Sequence, residues 1–154
     1  MHLEFRVTLP DHDWVVAAKH KLPPSVVAGI CTKPNDEGRP KSETYSGPTF
    51  ISVRSEKHCS SSAETHGAYF EHLMEISNFD IITKNSQGEV KPVLIMIIDG
   101  GPDENPRYPR IIATVIKHFK KYNFDGVFIA TNAPGRSAFN IVKRRMAPLS
   151  NQLS

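Results

Sequence analysis

Asp99 ends an apolar run, Pro92-Val93-Leu94-Ile95-Met96-Ile97-Ile98, and opens the turn Gly100-Gly101-Pro102, with Asp103 and Glu104 directly behind it. A carboxylate at the end of a buried strand is held rigidly at a sheet rim facing solvent. There it can bind a metal or do acid–base work. Asp103 and Glu104 lie on the same loop and offer a loose metal site together with Asp99. Their plainer role is to satisfy backbone N–H groups at the start of the next helix. A second segment, Pro134-Gly135-Arg136-Ser137-Ala138-Phe139-Asn140-Ile141-Val142-Lys143-Arg144-Arg145, carries the opposite charge. Arg136, Lys143, Arg144 and Arg145, joined by Arg107 and Arg110, would line a groove for a phosphate backbone, or else form a solvated face. Asn140 would touch a phosphate or orient the loop; the alternative is an ordinary helix-start residue near a Ser137 cap.

Other residues invite chemistry less strongly. His58, Cys59, His66 and His72 match no structural zinc spacing and read as surface or capping residues. Gly100-Gly101 lacks the further glycines and the Lys-Ser/Thr of a phosphate-cradling loop. His12 lies between Asp11 and Asp13, which favour its charged form. Trp14 reads as core.

The elements that must position these residues follow from hydrophobic period. Leu3, Phe5 and Val7 alternate with polar residues and predict a strand. Trp14–Ala18, Val26–Ile30 and Phe50–Arg54 predict three more, with residues 32–48 as an internal loop dense in breakers. Cys59-Ser60-Ser61-Ser62 would cap a helix carrying Tyr69, Phe70, Leu73, Met74 and Ile76. Gly88 marks a turn before the strand that ends in Asp99, which reads as buried on both faces. Pro109 fits the first turn of a helix with Ile111, Ile112, Val115, Ile116 and Phe119 on one side, and Lys117, Lys120 and Lys121 on the other. Gly126–Ala130 predicts a second buried strand. This strand–helix–strand order is a βαβ unit that puts Asp99 and Thr131-Asn132 at the same end of a parallel pair. Ser137 would cap a last helix carrying Phe139, Val142 and Met146.

The whole reads as an α/β domain, or α+β with a mixed sheet, in three layers. At 154 residues and 39% hydrophobic it is long enough for one core and apolar enough to fill it. No stretch has the length of a membrane span, and no charged-then-apolar leader opens the chain. Cys31 and Cys59 form no paired motif, so an intracellular protein with reduced thiols is expected. Net charge is +3 but unevenly placed. Residues 1–104 hold 10 Lys/Arg against 15 Asp/Glu, whereas residues 105–154 hold 9 against one, Asp125. A basic C-terminal third suits a polyanion partner.

The strand-end Asp99 followed downstream by Pro134-x-x-Ser137-x-x-Asn140 resembles the catalytic core of DDE-type transposases, in the mariner-like and related insertion-sequence branches. The resemblance covers residues 92–145. It implies an RNase H-like fold in which Asp99 holds the second-acid position and the third acid follows Asn140 by three residues. Here that position is Lys143. A protonated lysine cannot ligate Mg²⁺. The first acid of the family lies on the fold's first strand; the chain opens in what reads as a later strand, so that first strand is expected to be missing, the alternative being that Asp11 and Asp13 substitute for its acid. Such enzymes clamp the attacking and leaving oxygens of a phosphodiester between two Mg²⁺ ions about 3.5–4 Å apart, held by carboxylates.

The expectation is therefore a truncated, catalytically inactive, transposase-derived domain that binds DNA through its basic third, located in the nucleus if the source is eukaryotic, with no membrane or small-molecule cofactor. One alternative is an active Mg²⁺-dependent nuclease or transposase using Asp99 with Asp11 or Asp13 and Asp103 or Glu104. Another is a mobile-element remnant without function, which would show an unfilled sheet edge and exposed apolar surface.

Overall fold

A computed structural model describes residues 14–17, 20–35, 43–44, 47–132 and 142. The strand expected at Leu3–Val7, the Asp11-His12-Asp13 turn and the Ser137 helix lie outside the described residues. With that helix go Arg136, Asn140, Lys143, Arg144 and Arg145.

The described chain is mixed α and β. Its strands are β1 (Trp14–Ala17), β2 (His20–Leu22), β3 (Pro24–Ala28), β4 (Cys31–Thr32), β5 (Glu43–Thr44) and β6 (Thr49–Val53). Helix α1 (Ala63–Glu75) follows, then a 3₁₀ turn (Ser77–Phe79) and the short α2 (Asp80–Thr83). Strand β7 (Val93–Ile98), helix α3 (Pro109–Lys121) and strand β8 (Gly126–Thr131) complete the order.

These strands do not join into the one mixed sheet expected. Among the described residues they form four two-stranded pairs, β1–β2, β3–β6, β4–β5 and β7–β8. The first three are antiparallel and β7–β8 is parallel. The supposed loop at 32–48 contains Glu43–Thr44, which pairs with Cys31–Thr32. The strand expected at Val26–Ile30 instead starts at Pro24 and stops at Ala28, where Gly29 turns to donate its N–H to the Pro48 carbonyl at 2.8 Å. Proline is tolerated there because it opens the strand.

Ser62 caps α1, its hydroxyl accepting the Thr65 N–H at 3.2 Å. That satisfies one of the N–H groups a helix start leaves open. Ile76 falls just beyond the helix as its C-cap. Pro109 stands at the first turn of α3 as expected. At the other end Asn123 adopts φ 52°, and the Phe124 N–H reaches the Phe119 carbonyl at 3.1 Å. This left-handed cap closes the helix and turns buried Phe124 inward. The Asp125 N–H then bonds the Pro92 carbonyl at 2.7 Å, and β8 runs in register beside β7, from Val93 opposite Gly126 to Ile98 opposite Thr131.

The core lies where α1 meets α3. Ala63, Leu73, Met74, Phe79, Ile111 and Phe124 are buried, with His118 among them. Gly67 is what lets the helices close, because a Cβ there would lie 2.7 Å from Thr114 Cγ2. Phe70 stacks on His118 with ring centres 5.0 Å apart and meets the Tyr122 edge at 5.8 Å. Phe50 of β6 docks the β3–β6 pair onto α1 through Tyr69 and His72.

The strands of the βαβ unit are not buried on both faces. Along β7, Val93, Ile95 and Ile97 are exposed while Leu94, Met96 and Ile98 are half-buried. A continuous apolar run looks the same whether both faces or only one are covered, since hydrophobicity without alternation carries no face information. On α3, too, only part of the apolar stripe is covered: Ile112, Ile116 and Phe119 remain exposed.

Candidate functional site around Asp99

β7 ends at Ile98, so Asp99 stands exposed at the carboxyl end of the parallel pair. Gly100 follows with φ +78°, a conformation open to glycine at little cost. Its position is also crowded, since a Cβ would lie 3.2 Å from Thr131 Cβ. At the end of β8 the Asn132 N–H continues the ladder onto the Ile98 carbonyl at 3.0 Å. Its side-chain amide donates to Asp99 Oδ1 at 3.4 Å. The expected meeting of Asp99 with Asn132 at one end of the pair is thus observed.

The loop from 100 to 108 is built turn by turn. The Gly101 carbonyl accepts the N–H groups of Glu104 (3.1 Å) and Asn105 (2.8 Å). Asn105 donates its side-chain amide to the Gly100 carbonyl at 3.2 Å and accepts the Arg107 N–H at 3.1 Å. This folding brings Asp103 and Glu104 against α1, and Asp103 also lines the cleft at the start of α3. Tyr108, the N-cap of α3, makes no side-chain cap, and the two acids take a role beyond helix capping.

That role is set by His66. Its Nε2 lies 3.0 Å from Asp103 Oδ2, and its Nδ1 lies 3.6 Å from Glu104 Oε1. Ser61, one residue before the α1 cap, donates its hydroxyl to Asp103 Oδ2 and lies 3.0 Å from His66 Nε2. Burial disfavours the charged form of Asp103, but the hydrogen bonds from Ser61 and His66 outweigh it and hold its carboxyl below the ordinary value. Glu104 is pushed the other way. Its burial, together with the charges of Asp103 and Asp99, raises its carboxyl above the usual value against the opposing pull of His66 and the Asp99 N–H. Sequence reading grouped His66 with His58, Cys59 and His72. Nothing in its spacing signals carboxylates 37 residues away.

Among the described residues no group of three or more His, Cys, Asp and Glu is arranged to hold a metal ion. Asp103 and Glu104 both reach His66, and Glu104 also accepts the Asp99 N–H, which keeps its carboxylate beside Asp99.

Of the basic residues expected to meet phosphate, Arg107 and Arg110 are described and both are exposed. Arg107 lies over the Tyr108 ring, its guanidinium 5.0 Å from the centroid, and donates to the Tyr108 hydroxyl at 3.0 Å. Arg110 opens α3 beside a cleft of about 410 Å³ that Ser61, Asp103 and Tyr108 also line. No described helix is long and apolar enough to cross a membrane.

Comparison with protein-family models, with curated proteins and with solved structures finds no match to this chain.

Proposed function

We propose that this chain is a transposase-derived domain of RNase H-like ancestry that binds nucleic acid and does not cut or join it. One observation carries the reading: Asp99 stands at the carboxyl end of the parallel β7–β8 pair, joined to Asn132 across the strand ends, with Arg107 and Arg110 on the segment that follows. In open α/β folds this end of the strands is where ligands bind. The DDE-like spacing supplies the ancestry. Inactivity rests on the acids. Lys143 stands where the resemblance requires the third carboxylate, and Asp103 and Glu104 are turned to His66.

The test uses the full chain with duplex DNA. Binding followed by fluorescence anisotropy is expected to weaken steeply as salt rises, and no cleavage or strand joining is expected with Mg²⁺ or Mn²⁺. Cleavage that disappears in Asp99→Ala would overturn inactivity and select an active nuclease. Absence of any salt-dependent binding would overturn the nucleic-acid role.

A further inference from the structure

We propose that the exposed face of the β7–β8 pair is a self-association surface, covered by the same face of a second copy of this chain. The parallel register places Val93 beside Gly126, Ile95 beside Phe128 and Ile97 beside Ala130. These six residues share one face, and none carries a polar side chain. Val93 is 47% exposed, Ile95 68%, Ile97 49% and Phe128 62%. At full side-chain areas of the usual size, these four leave about 400 Å² of contiguous apolar surface in water. A standard interface buries roughly 800 Å² per partner, somewhat more than half of it apolar, so one such face supplies about the apolar share a stable dimer needs.

The character of the face selects the partner. Its six residues are uncharged and without polar side chains, so they offer nothing to orient a charged peptide or a polyanion. Two copies related by a two-fold axis would present identical apolar strands to each other. Sheets stack this way about 10 Å apart, side chains interdigitating as in a sandwich core. Ile95 and Phe128, adjacent at the centre, would be the anchors. The strand face alone carries the inference, which stands independently of the nucleic-acid reading.

Sedimentation equilibrium of the full chain over a range of concentrations tests it. A monomer–dimer equilibrium is expected. Ile95→Lys and Phe128→Lys, each at an already exposed position, should raise its dissociation constant by about 30-fold or more with unchanged far-UV circular dichroism. Ile81→Lys serves as the matched control, because Ile81 is 67% exposed on α2, outside this face. It should leave the equilibrium unchanged. A wild-type chain that stays monomeric, a dimer indifferent to both face substitutions, or equal loss in the Ile81 control would each overturn the proposal.

Discussion

His66 has a carboxylate at each ring nitrogen, Asp103 on one side and Glu104 on the other, and so fastens the loop after Asp99 to the first turns of α1. The side chains involved are about one quarter exposed, so solvent screening keeps each interaction modest. A double-mutant cycle of His66→Ala and Asp103→Ala, read by urea denaturation, is expected to give a coupling of about 1 kcal/mol. A coupling near zero would mean the loop is held by its own turns alone. At the other end of α1, Glu71 pairs with Lys121 at 2.9 Å and Lys117 at 3.0 Å. These bonds lower its carboxyl to about 2. Beside it, burial lowers the His118 imidazole below its ordinary value, outweighing the pull of Glu71. Both shifts have the same consequence. Each group binds fewer protons folded than unfolded, so each contributes stability at neutral pH that is lost in acid. The urea midpoint should begin to fall as pH drops through about 6.5, where unfolded histidine takes its proton, and fall again from about 4.5 towards 2. Glu71→Gln should reduce the lower step, to which Asp103 also contributes, and His118→Phe should remove the upper one. None of these pairings was visible in the sequence, since each joins residues from separate elements.

Helices α1 and α3 and the βαβ unit were readable because their signals are local, whereas the short α2 was not. Pro109 marked the start of α3, Ser62 capped α1, and Gly88 sits in its turn at φ +83°. Burial was not readable in the same way. The stripe Ile111, Ile112, Val115, Ile116 and Phe119 showed that α3 is amphipathic, but not that α1 would cover only its Ile111 and His118 side. Gly67 shows why packing escapes a local reading. In sequence it is a weak helix residue; in the fold it is the point of closest approach to Thr114 and His118. Gly67→Ala gains helix propensity, about 1 kcal/mol, but inserts a methyl against a β-branched neighbour with little freedom to turn away. Overpacking of this kind costs about 1–3 kcal/mol, so a net loss of up to about 2 kcal/mol is expected in thermal or urea unfolding. A gain in stability would show that the helices can separate without penalty.

At the scale of the molecule, charge asymmetry is the property that sequence alone supplied in full. Its C-terminal 50 residues carry nine cations against one acid. Arg107 and Arg110 are exposed near the carboxyl end of β7–β8, where the proposed nucleic-acid role would bring a phosphate backbone. Replacing both with alanine should weaken DNA binding across all sequences alike. It should also flatten the dependence on salt by about one unit of slope for every phosphate that is no longer neutralised. Unequal weakening between DNA sequences would point instead to base readout. The longer strands were legible, but the short β2, β4 and β5 and the assembly of strands were not, because pairing depends on partners far apart in the chain.

The parallel pairing of β7 with β8 also governs how the chain reaches this state. A hairpin closes over two or three residues. Val93 meets Gly126 only after a loop of roughly 33 residues is closed, costing about 3 kcal/mol of chain entropy before the first ladder bond forms. Helix α3 takes up 13 residues of that loop and is about as long as the six-residue strands it connects. Once wound, it sets the two strands side by side with little slack. Helix formation, a local and fast step, is therefore expected to precede closure of the β7–β8 ladder and the placing of the strand end that carries Asp99.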